Sequence, residues 1–437
     1  MLLLLCAFNA AANCTLGPSG GPSDEAAINA CLARGGVVTL NPGTYNIANK
    51  GIYVGVDGTT LRSADPANPA RLRAVPGMQY PLVVVRDRRG VTIDSVVLDG
   101  NKESDPTAAR RRFCGRRDGV DFDQYRPYNL RILNSRDILV TGITSMNAPC
   151  GTGLEIAATN FTIQRSTVKS NGSNTGPNDR NYVWADGITV LRCNGGKVID
   201  NIIEDNTDVD LIVGGIGTGL ANSCTVTGNR IAHREQYAFA GLMLEHFNDG
   251  GGIFGTSRFA NNTITNHRAP GDGIGFGIMV GHHAWAVGCS GPCPYDVTGG
   301  IIEANTVTGA YINLAVDGVR NTIIRNNTLS APAGTTLAWA VQPLCFKTST
   351  TPAKPPRPLN YTAAHHDGGT VPPGGEVWAF DNDDCVNLAP GCTAQCCSAT
   401  ECDDGDPCTL DSCFNGVCRY AQRPGPLCND GFRRSGR

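Results

Sequence analysis

Three aspartates stand where two short apolar runs begin. Asp186 precedes Ile188-Thr189-Val190, and Asp208 and Asp210 precede Ile212-Val213. A protonated carboxyl beside an ionised one can cleave a glycosidic bond, because one group protonates the leaving oxygen while the other activates water or attacks. Crowding two carboxyls also raises the pKa of one of them. The alternative is that Asp186 is a turn residue before a glycine and that the other two cap corners.

A second polar set follows later apolar runs. Glu245 and His246 come after one run and His282 after the next, so this acid–histidine set can contact a substrate, hold a metal or move protons. Arg192 and Arg230 are basic residues that can bind an acidic sugar. The alternative is that these histidines are ordinary surface residues.

A loop before these runs is dense in arginine. Five of the eight residues from Arg110 to Arg117 are arginine, and Cys114 lies among them. Clustered guanidinium groups suit bidentate binding of carboxylates or sulfates on a polysaccharide. The alternative is a solvated loop held by Cys114, for which Cys150 is one candidate disulfide partner.

The elements that would position these groups form a repeat. Apolar residues flank an asparagine in copies separated by 28, 33, 43 and 22 residues, with a second class of short strand between them. Irregular periods of this length predict a solenoid of β-coils whose strands stack in parallel about 4.8 Å apart. We expect asparagine at the corner because it tolerates left-handed backbone and because stacked amides can hydrogen-bond from coil to coil. A β-sandwich is the alternative, although tight hairpin turns are not prominent. The aligned asparagines are Asn201, Asn229, Asn262, Asn305 and Asn327.

The beginning of the chain predicts a helix and then a strand. Ser23 is a good N-cap, Ile28 and Leu32 are spaced for one buried face, and Gly35-Gly36 ends the pattern. A β-type run and a turn follow. We expect this helix to cover one open end of the solenoid.

Residues 35–45 (GGVVTLNPGTY), taken with the asparagine repeats, resemble the opening of right-handed parallel β-helix proteins of the pectate-lyase-like superfamily. The resemblance covers roughly residues 20–340 and implies an all-β, right-handed parallel β-helix with an N-terminal capping helix, over residues 20–345. It is less specific for activity, since the superfamily contains lyases, hydrolases, epimerases, phage tailspikes and adhesins.

The aspartates resemble a polygalacturonase pattern, Asn-Thr-Asp followed about one coil later by Gly-Asp-Asp. Asp186 falls on the first acid, and Asp208 and Asp210 stand near the later two. The scheme makes Asp208 the proton donor and lets Asp186 and Asp210 position water. Val209 splits the later pair, which predicts that both its acids share a face, and the family's downstream His-Gly and Arg-x-Lys are not found at comparable spacing.

Residues 1–12 combine an apolar run with small residues, which is typical of a secretory signal peptide, although no basic residue precedes the run. The chain has 19 cysteines, of which 18 follow residue 12. Export and many cysteines favour structural disulfides in a secreted or cell-surface protein. The pairs suggested by spacing are Cys14–Cys31, Cys193–Cys224 and Cys289–Cys293.

The composition changes after residue 345. Residues 346–380 form a Thr- and Pro-rich linker, and residues 381–437 form a cysteine-rich module that disulfides must stabilise. This module resembles small repeats on secreted bacterial surface proteins, which suggests cell-surface attachment or self-assembly. Ca²⁺ binding is one interpretation of its acids, and turn formation is the other. The acids are Asp403, Asp404, Asp406 and Asp411.

The net charge of −3 gives no electrostatic bias toward nucleic acid, and no stretch resembles a membrane span. The sequence therefore predicts a secreted enzyme that cleaves a polysaccharide, by hydrolysis at paired carboxylates and with no required cofactor. One alternative is a non-catalytic surface, adhesion or filament protein. A second is a lyase acting on a uronate polymer.

Overall fold

The computed structural model describes residues 13–104, 127–175, 183–214, 223–244, 252–268, 273–280, 297–310, 312–317, 319–320 and 322–330. It also describes the course of the backbone at 347–349, 377–380, 409–414 and 417–422.

The secondary structure is almost entirely β. One helix, α1 (Glu25–Leu32), and one 3-10 turn (Lys102–Ser104) accompany the strands of the described residues. In chain order, the strands are β1 (Cys14–Leu16), β2 (Val37–Leu40), β3 (Thr44–Ile47), β4 (Ile52–Val54), β5 (Thr60–Ser63), β6 (Arg71–Ala74), β7 (Val83–Arg86), β8 (Thr92–Asp94), β9 (Val97–Asp99), β10 (Leu130–Thr141), β11 (Thr144–Met146), β12 (Gly151–Gln164), β13 (Thr167–Lys169), β14 (Ala185–Ile199), β15 (Ile202–Glu204), β16 (Val209–Val213), β17 (Ser223–Thr227), β18 (Arg230–His233), β19 (Ala238–Leu244), β20 (Gly252–Ala260), β21 (Thr263–Asn266), β22 (Ile274–Val280), β23 (Val297–Glu303), β24 (Thr306–Thr308), β25 (Ile312–Asp317), β26 (Val319–Arg320), β27 (Ile323–Arg325), β28 (Thr328–Ser330), β29 (Lys347–Ser349), β30 (Val377–Phe380), β31 (Thr409–Phe414) and β32 (Val417–Gln422).

The strands wind into a right-handed parallel β-helix, as the sequence predicted. A ten-stranded sheet stacks every coil from β3 to β28, and a 20-stranded sheet forms the rest of the wall. The long strands β10, β12 and β14 run round a corner of this larger sheet. The first half of β10 pairs in parallel with β7, and its second half pairs with β8. Each coil therefore contributes to three faces.

Alternation along the strands builds the interior. In β2 and β5 every second side chain is buried, because successive side chains point to opposite faces of a strand. Stacked coils then align apolar side chains in columns along the axis. One column, with no exposure above 1%, contains Leu154, Ile188, Leu211, Leu242, Ile278 and Leu314.

The asparagines aligned in the sequence form a continuous ladder, which confirms that prediction. In each of its four links, the side-chain Nδ2 of one asparagine donates to the Oδ1 of the next at 2.9 Å, and that Oδ1 also accepts the backbone N–H of the donating asparagine. Each Nδ2 also donates to a strand carbonyl. The rungs, called the asparagine ladder below, are Asn201, Asn229, Asn262, Asn305 and Asn327.

The expected backbone reason for these asparagines was wrong. The left-handed residue is the one before each rung, such as Asn261 with φ 56° and Ala304 with φ 53°. The residue before the rung makes the bend. Asparagine is needed at the rung itself because of the hydrogen bonds that its amide makes. An amide both donates and accepts, so it can continue a chain of buried hydrogen bonds.

Helix α1 buries Ile28 and Leu32, as predicted. Its N-cap is Asp24 rather than Ser23, whose Oγ accepts the N–H of Glu25 at 3.2 Å. The Asp24 carboxylate does not cap the helix and instead accepts the N–H groups of Ser19 and Asn46. That the helix covers the end of the solenoid stays a prediction.

Two of the expected disulfides, Cys14–Cys31 and Cys193–Cys224, are present, and Cys150 is also disulfide-bonded. The suggested Cys289–Cys293 pair and the arginine-rich loop 110–117 lie outside the described residues. Strand β30, within the segment expected to be a linker, pairs in parallel with β25. Strands β31 and β32 pair with each other in antiparallel fashion. None of the helical residues described forms a helix long and apolar enough to cross a membrane.

Candidate active site

Asp186 and Asp208 lie on neighbouring coils, as the repeat spacing predicted. Strands β14 and β16 pair in parallel with Ile188 opposite Leu211. Continued toward the strand starts, this register sets Asp186 beside Val209, one residue out of step with Asp208. The N–H of Val209 donates to Asp186 Oδ1 at 3.2 Å, and the N–H of Asp208 donates to the Ala185 carbonyl at 3.2 Å. Both aspartates are half-buried.

Asp186 is held by donors on both oxygens. Besides the N–H of Val209 on Oδ1, the hydroxyl of Thr189 donates to Oδ2 at 2.6 Å. Thr189 Oγ1 in turn lies 3.3 Å from Thr152 Oγ1 on the preceding coil. Hydrogen bonds of this kind stabilise a carboxylate in its ionised form and fix its orientation.

Asp208 lies beside the buried Tyr237. Burial and then the negative charge of Asp208 raise the pKa of Tyr237 well above its usual value, so the phenol stays protonated. The backbone of Asp208 is fixed by the next coil, since its carbonyl accepts the N–H of Phe239 at 2.7 Å.

Asp210 lies in the interior of the coil and is fully buried. Its Oδ2 is 2.6 Å from His233 Nε2, and its Oδ1 accepts the Asn206 amide at 3.0 Å. The sequence predicts that Asp208 and Asp210 share a face and that Asp210 positions water. Their surroundings differ instead, because Asp210 finds its partners inside the solenoid and does not reach a polymer on the outer surface.

The sequence did not single out His233, although a signal was present. In β18 the burial alternates, so that Ile231 and His233 point inward while Arg230 is exposed. His233 Nδ1 lies 2.9 Å from the Gln236 carbonyl, which can only accept, so Nδ1 carries a proton. Burial alone lowers the pKa of His233, but the Asp210 charge and hydrogen bond outweigh it, and the pKa is raised.

The other expected site residues do not gather at this pair. Arg192 lies on β14, but near the corner where this strand turns to the next face and away from Asp186. Arg230 lies on β18 of the ten-stranded sheet, which is a different face of the solenoid. Glu245, His246 and His282 lie outside the described residues, as do Asp403, Asp404 and Asp406. Asp411 is in β31, for which only the backbone course is described. Among the described side chains, no three of His, Cys, Asp or Glu form a group that could hold a metal ion.

Fold and site together define a right-handed parallel β-helix protein with a carboxyl pair on adjacent coils. No family model and no curated protein matches the chain. Solved structures similar to it are pectate-lyase-like and polygalacturonase-like parallel β-helices. They include the endo-xylogalacturonan hydrolase of Aspergillus tubingensis, with 14% identity, coverage of 73% of this chain and 85% of that one, and a TM-score of 0.43.

Two further similar structures have comparable values. The exopolygalacturonase of Thermotoga maritima is 15% identical, the match covers 68% of this chain and 81% of the exopolygalacturonase chain, and the TM-score is 0.43. Pectate lyase Pel9A is 14% identical, the match covers 75% of this chain and 77% of the lyase chain, and the TM-score is 0.46. A function for this chain therefore has to rest on its own residues.

Proposed function

We propose that this chain is a secreted enzyme that hydrolyses glycosidic bonds of a polysaccharide with Asp186 and Asp208. The observation that carries the proposal is that Asp186 and Asp208, both half-buried, lie on adjacent coils at the paired starts of β14 and β16. Such a pair is the basic requirement of glycoside hydrolysis.

The surroundings of the two acids suggest different roles. Asp186 accepts two hydrogen bonds and suits the ionised partner that orients or activates water. Asp208, whose backbone is fixed by the next coil, takes the complementary role of proton donor to the leaving oxygen. Asp210 has no direct part in this scheme, because it is enclosed with His233.

A polymeric substrate fits the location of the pair. Neighbouring coils repeat about every 4.8 Å along the axis, so an extended chain lying across them can contact several coils at once. Trp184 is half-buried two residues before Asp186 and offers an apolar ring surface to such a chain. The disulfides on the described coils fit an oxidising, extracellular setting.

The test is cleavage of a panel of neutral and acidic polysaccharides by the full chain. New reducing ends without ultraviolet absorbance indicate hydrolysis, whereas absorbance from an unsaturated product indicates a lyase. We expect hydrolysis of at least one polymer, and a loss of about 100-fold or more in kcat in both Asp186→Asn and Asp208→Asn.

The matched control is Asp65→Asn, an exposed turn aspartate whose carboxylate accepts the N–H of Ala67 within the same turn. It should cleave like the wild type. Full activity in both site variants would remove the assignment, and binding of a polymer without any cleavage would favour a non-catalytic adhesion role.

A further inference from the structure

A groove lies at the corner where β10, β12 and β14 turn from one face of the large sheet to the next. Its volume is about 500 Å³. Four arginines line it, contributed by three different coils, and we call it the arginine groove: Arg88, Arg89, Arg136 and Arg192, over a floor of Ala157, Ala158 and Thr159.

The groove is concave because its central coil carries small side chains. Arg136 is paired with Thr159 on the following coil, and Ala157 is paired with Arg192 on the coil after that. Large basic side chains therefore flank a coil whose own residues at this corner are mainly alanine. The depression between them is open to a ligand.

The groove holds more positive charge than its own acids neutralise. Arg89 and Arg136 are bridge partners on consecutive coils, so two exposed guanidinium-bearing residues start one strand spacing apart. The acids that line the groove are Asp57 and Asp87, and Asp57 Oδ1 accepts the backbone N–H of Arg89 at 3.0 Å. Four arginines against two aspartates leave a local excess of two positive charges, although the whole chain has a net charge of −3.

Two buried donors in this groove, Arg88 Nε and Arg192 Nε, have no acceptor among the described residues. A buried guanidinium N–H calls for an acceptor, and an oxyanion supplies acceptors in the planar geometry that arginine matches. The Cys193–Cys224 disulfide joins the coil that carries Arg192 to the following coil.

We infer that the arginine groove binds an oxyanion, a sulfate or a carboxylate, carried on a polyanionic ligand. The site is at the opposite end of the β14 segment from Asp186 and goes beyond the proposed hydrolysis. The guanidinium groups of adjacent coils converge on one anionic group, which removes the repulsion between them. The alanine floor admits that group.

The test measures binding of three polymers to the full, disulfide-bonded chain: dextran sulfate, polygalacturonate and uncharged dextran. We expect at least one of the charged polymers to bind, the uncharged one not to bind, and affinity to fall as salt is raised from about 50 mM to about 200 mM. Whichever charged polymer binds more tightly identifies the anionic group.

Two pairs of variants make the test specific. Arg136→Ala should weaken binding about tenfold, whereas Arg62→Ala, an exposed arginine outside the groove, should not. Thr159→Glu places a negative charge at an exposed position of the floor and should weaken binding more than about tenfold, while Thr159→Gln should not.

The inference is overturned by binding of neither charged polymer, or by binding that Arg136→Ala and Thr159→Glu leave unchanged. Thermal unfolding of each variant shows whether a loss of binding reflects a loss of structure. Since the readout is binding, the result is independent of whether Asp186 and Asp208 cleave anything.

Discussion

The Asp210 carboxylate and the His233 imidazole lie 2.6 Å apart inside the coil, and neither side chain is exposed to solvent. Asp205 is also close, with its Oδ1 3.8 Å from His233 Nδ1. Its Oδ1 also accepts the N–H groups of Arg234, Glu235 and Gln236. This network ties β16 to the bend after β18 from within the solenoid.

Stability should fall as pH rises because of this pair. Burial raises the pKa of Asp210, and the Asp210 charge raises that of His233, so the folded chain holds more protons than the unfolded one. The histidine contribution is complete below its ordinary pKa of 6.5 and is lost as pH rises through the higher folded value. The pKa of Asp210 is also raised, so its contribution to stability is complete below its ordinary pKa of 3.8 and is lost as pH rises through the higher folded value.

Urea unfolding measured between about pH 5 and pH 9 checks this dependence. Asp210→Asn should flatten the decline above pH 6.5, because the charge that raises the histidine pKa is gone. His267→Gln, at an exposed histidine, should keep the wild-type slope. A slope unchanged in Asp210→Asn would show that the pair does not control it.

Removing one rung of the asparagine ladder should be costly. Asn262 donates to Asn305 Oδ1 and the Val226 carbonyl, and it accepts two N–H groups of Asn229. Asn262→Ala leaves the Asn229 donors buried without an acceptor and should lower the free energy of unfolding by about 2–4 kcal/mol. Thr263→Ala, at an exposed position, should change it by less than about 0.5 kcal/mol. Equal stability of the two variants would mean that the ladder contributes little.

Ala304 offers a stabilising substitution. Its φ of 53° is left-handed, a conformation that costs an L-residue about 1–2 kcal/mol relative to glycine. Glycine also loses more freedom on folding, so Ala304→Gly should raise stability by a net of about 0.5–1 kcal/mol. The reverse change, Gly228→Ala at φ 69° before another rung, should lower it. Chemical denaturation measures the change in the free energy of unfolding for each variant, and a less stable Ala304→Gly would contradict the backbone argument.

The buried pair of Arg131 and Glu155 should act as one unit. Arg131 Nε donates to Glu155 Oε1 at 2.6 Å, and the two side chains are only 5% and 8% exposed. Glu155→Gln leaves a buried cation and should cost about 3–5 kcal/mol, while Glu155→Leu with Arg131→Met should cost much less. A double-mutant cycle measures the coupling, and strictly additive effects would show that the two residues do not stabilise each other.

The winding of the chain could be predicted from its sequence because it depends on local alternation and on a repeated asparagine. The spacing of Asn201 and Asn229 already shows which strands stack. It does not show that the left-handed residue precedes the rung, since asparagine suits both roles.

The site was harder to predict, because it depends on register. Counting residues places Asp186 and Asp208 on consecutive coils, but only the pairing of Ile188 with Leu211 shows that they are one residue out of step. Because side chains alternate between the two faces of a strand, the single residue Val209 between Asp208 and Asp210 suggested that both acids point to the same face. The partner that holds Asp210 inside is His233, which is 23 residues away and was not among the expected site residues.

The rungs of the asparagine ladder are separated by 28, 33, 43 and 22 residues, yet every link has the same 2.9 Å bond between amides. The spacing of the coils along the axis therefore does not depend on how many residues each coil contains between its rungs. Evolution, or a protein engineer, can lengthen, shorten or exchange the excursions between rungs and so alter what the outer surface recognises, while the wound scaffold beneath keeps its pitch.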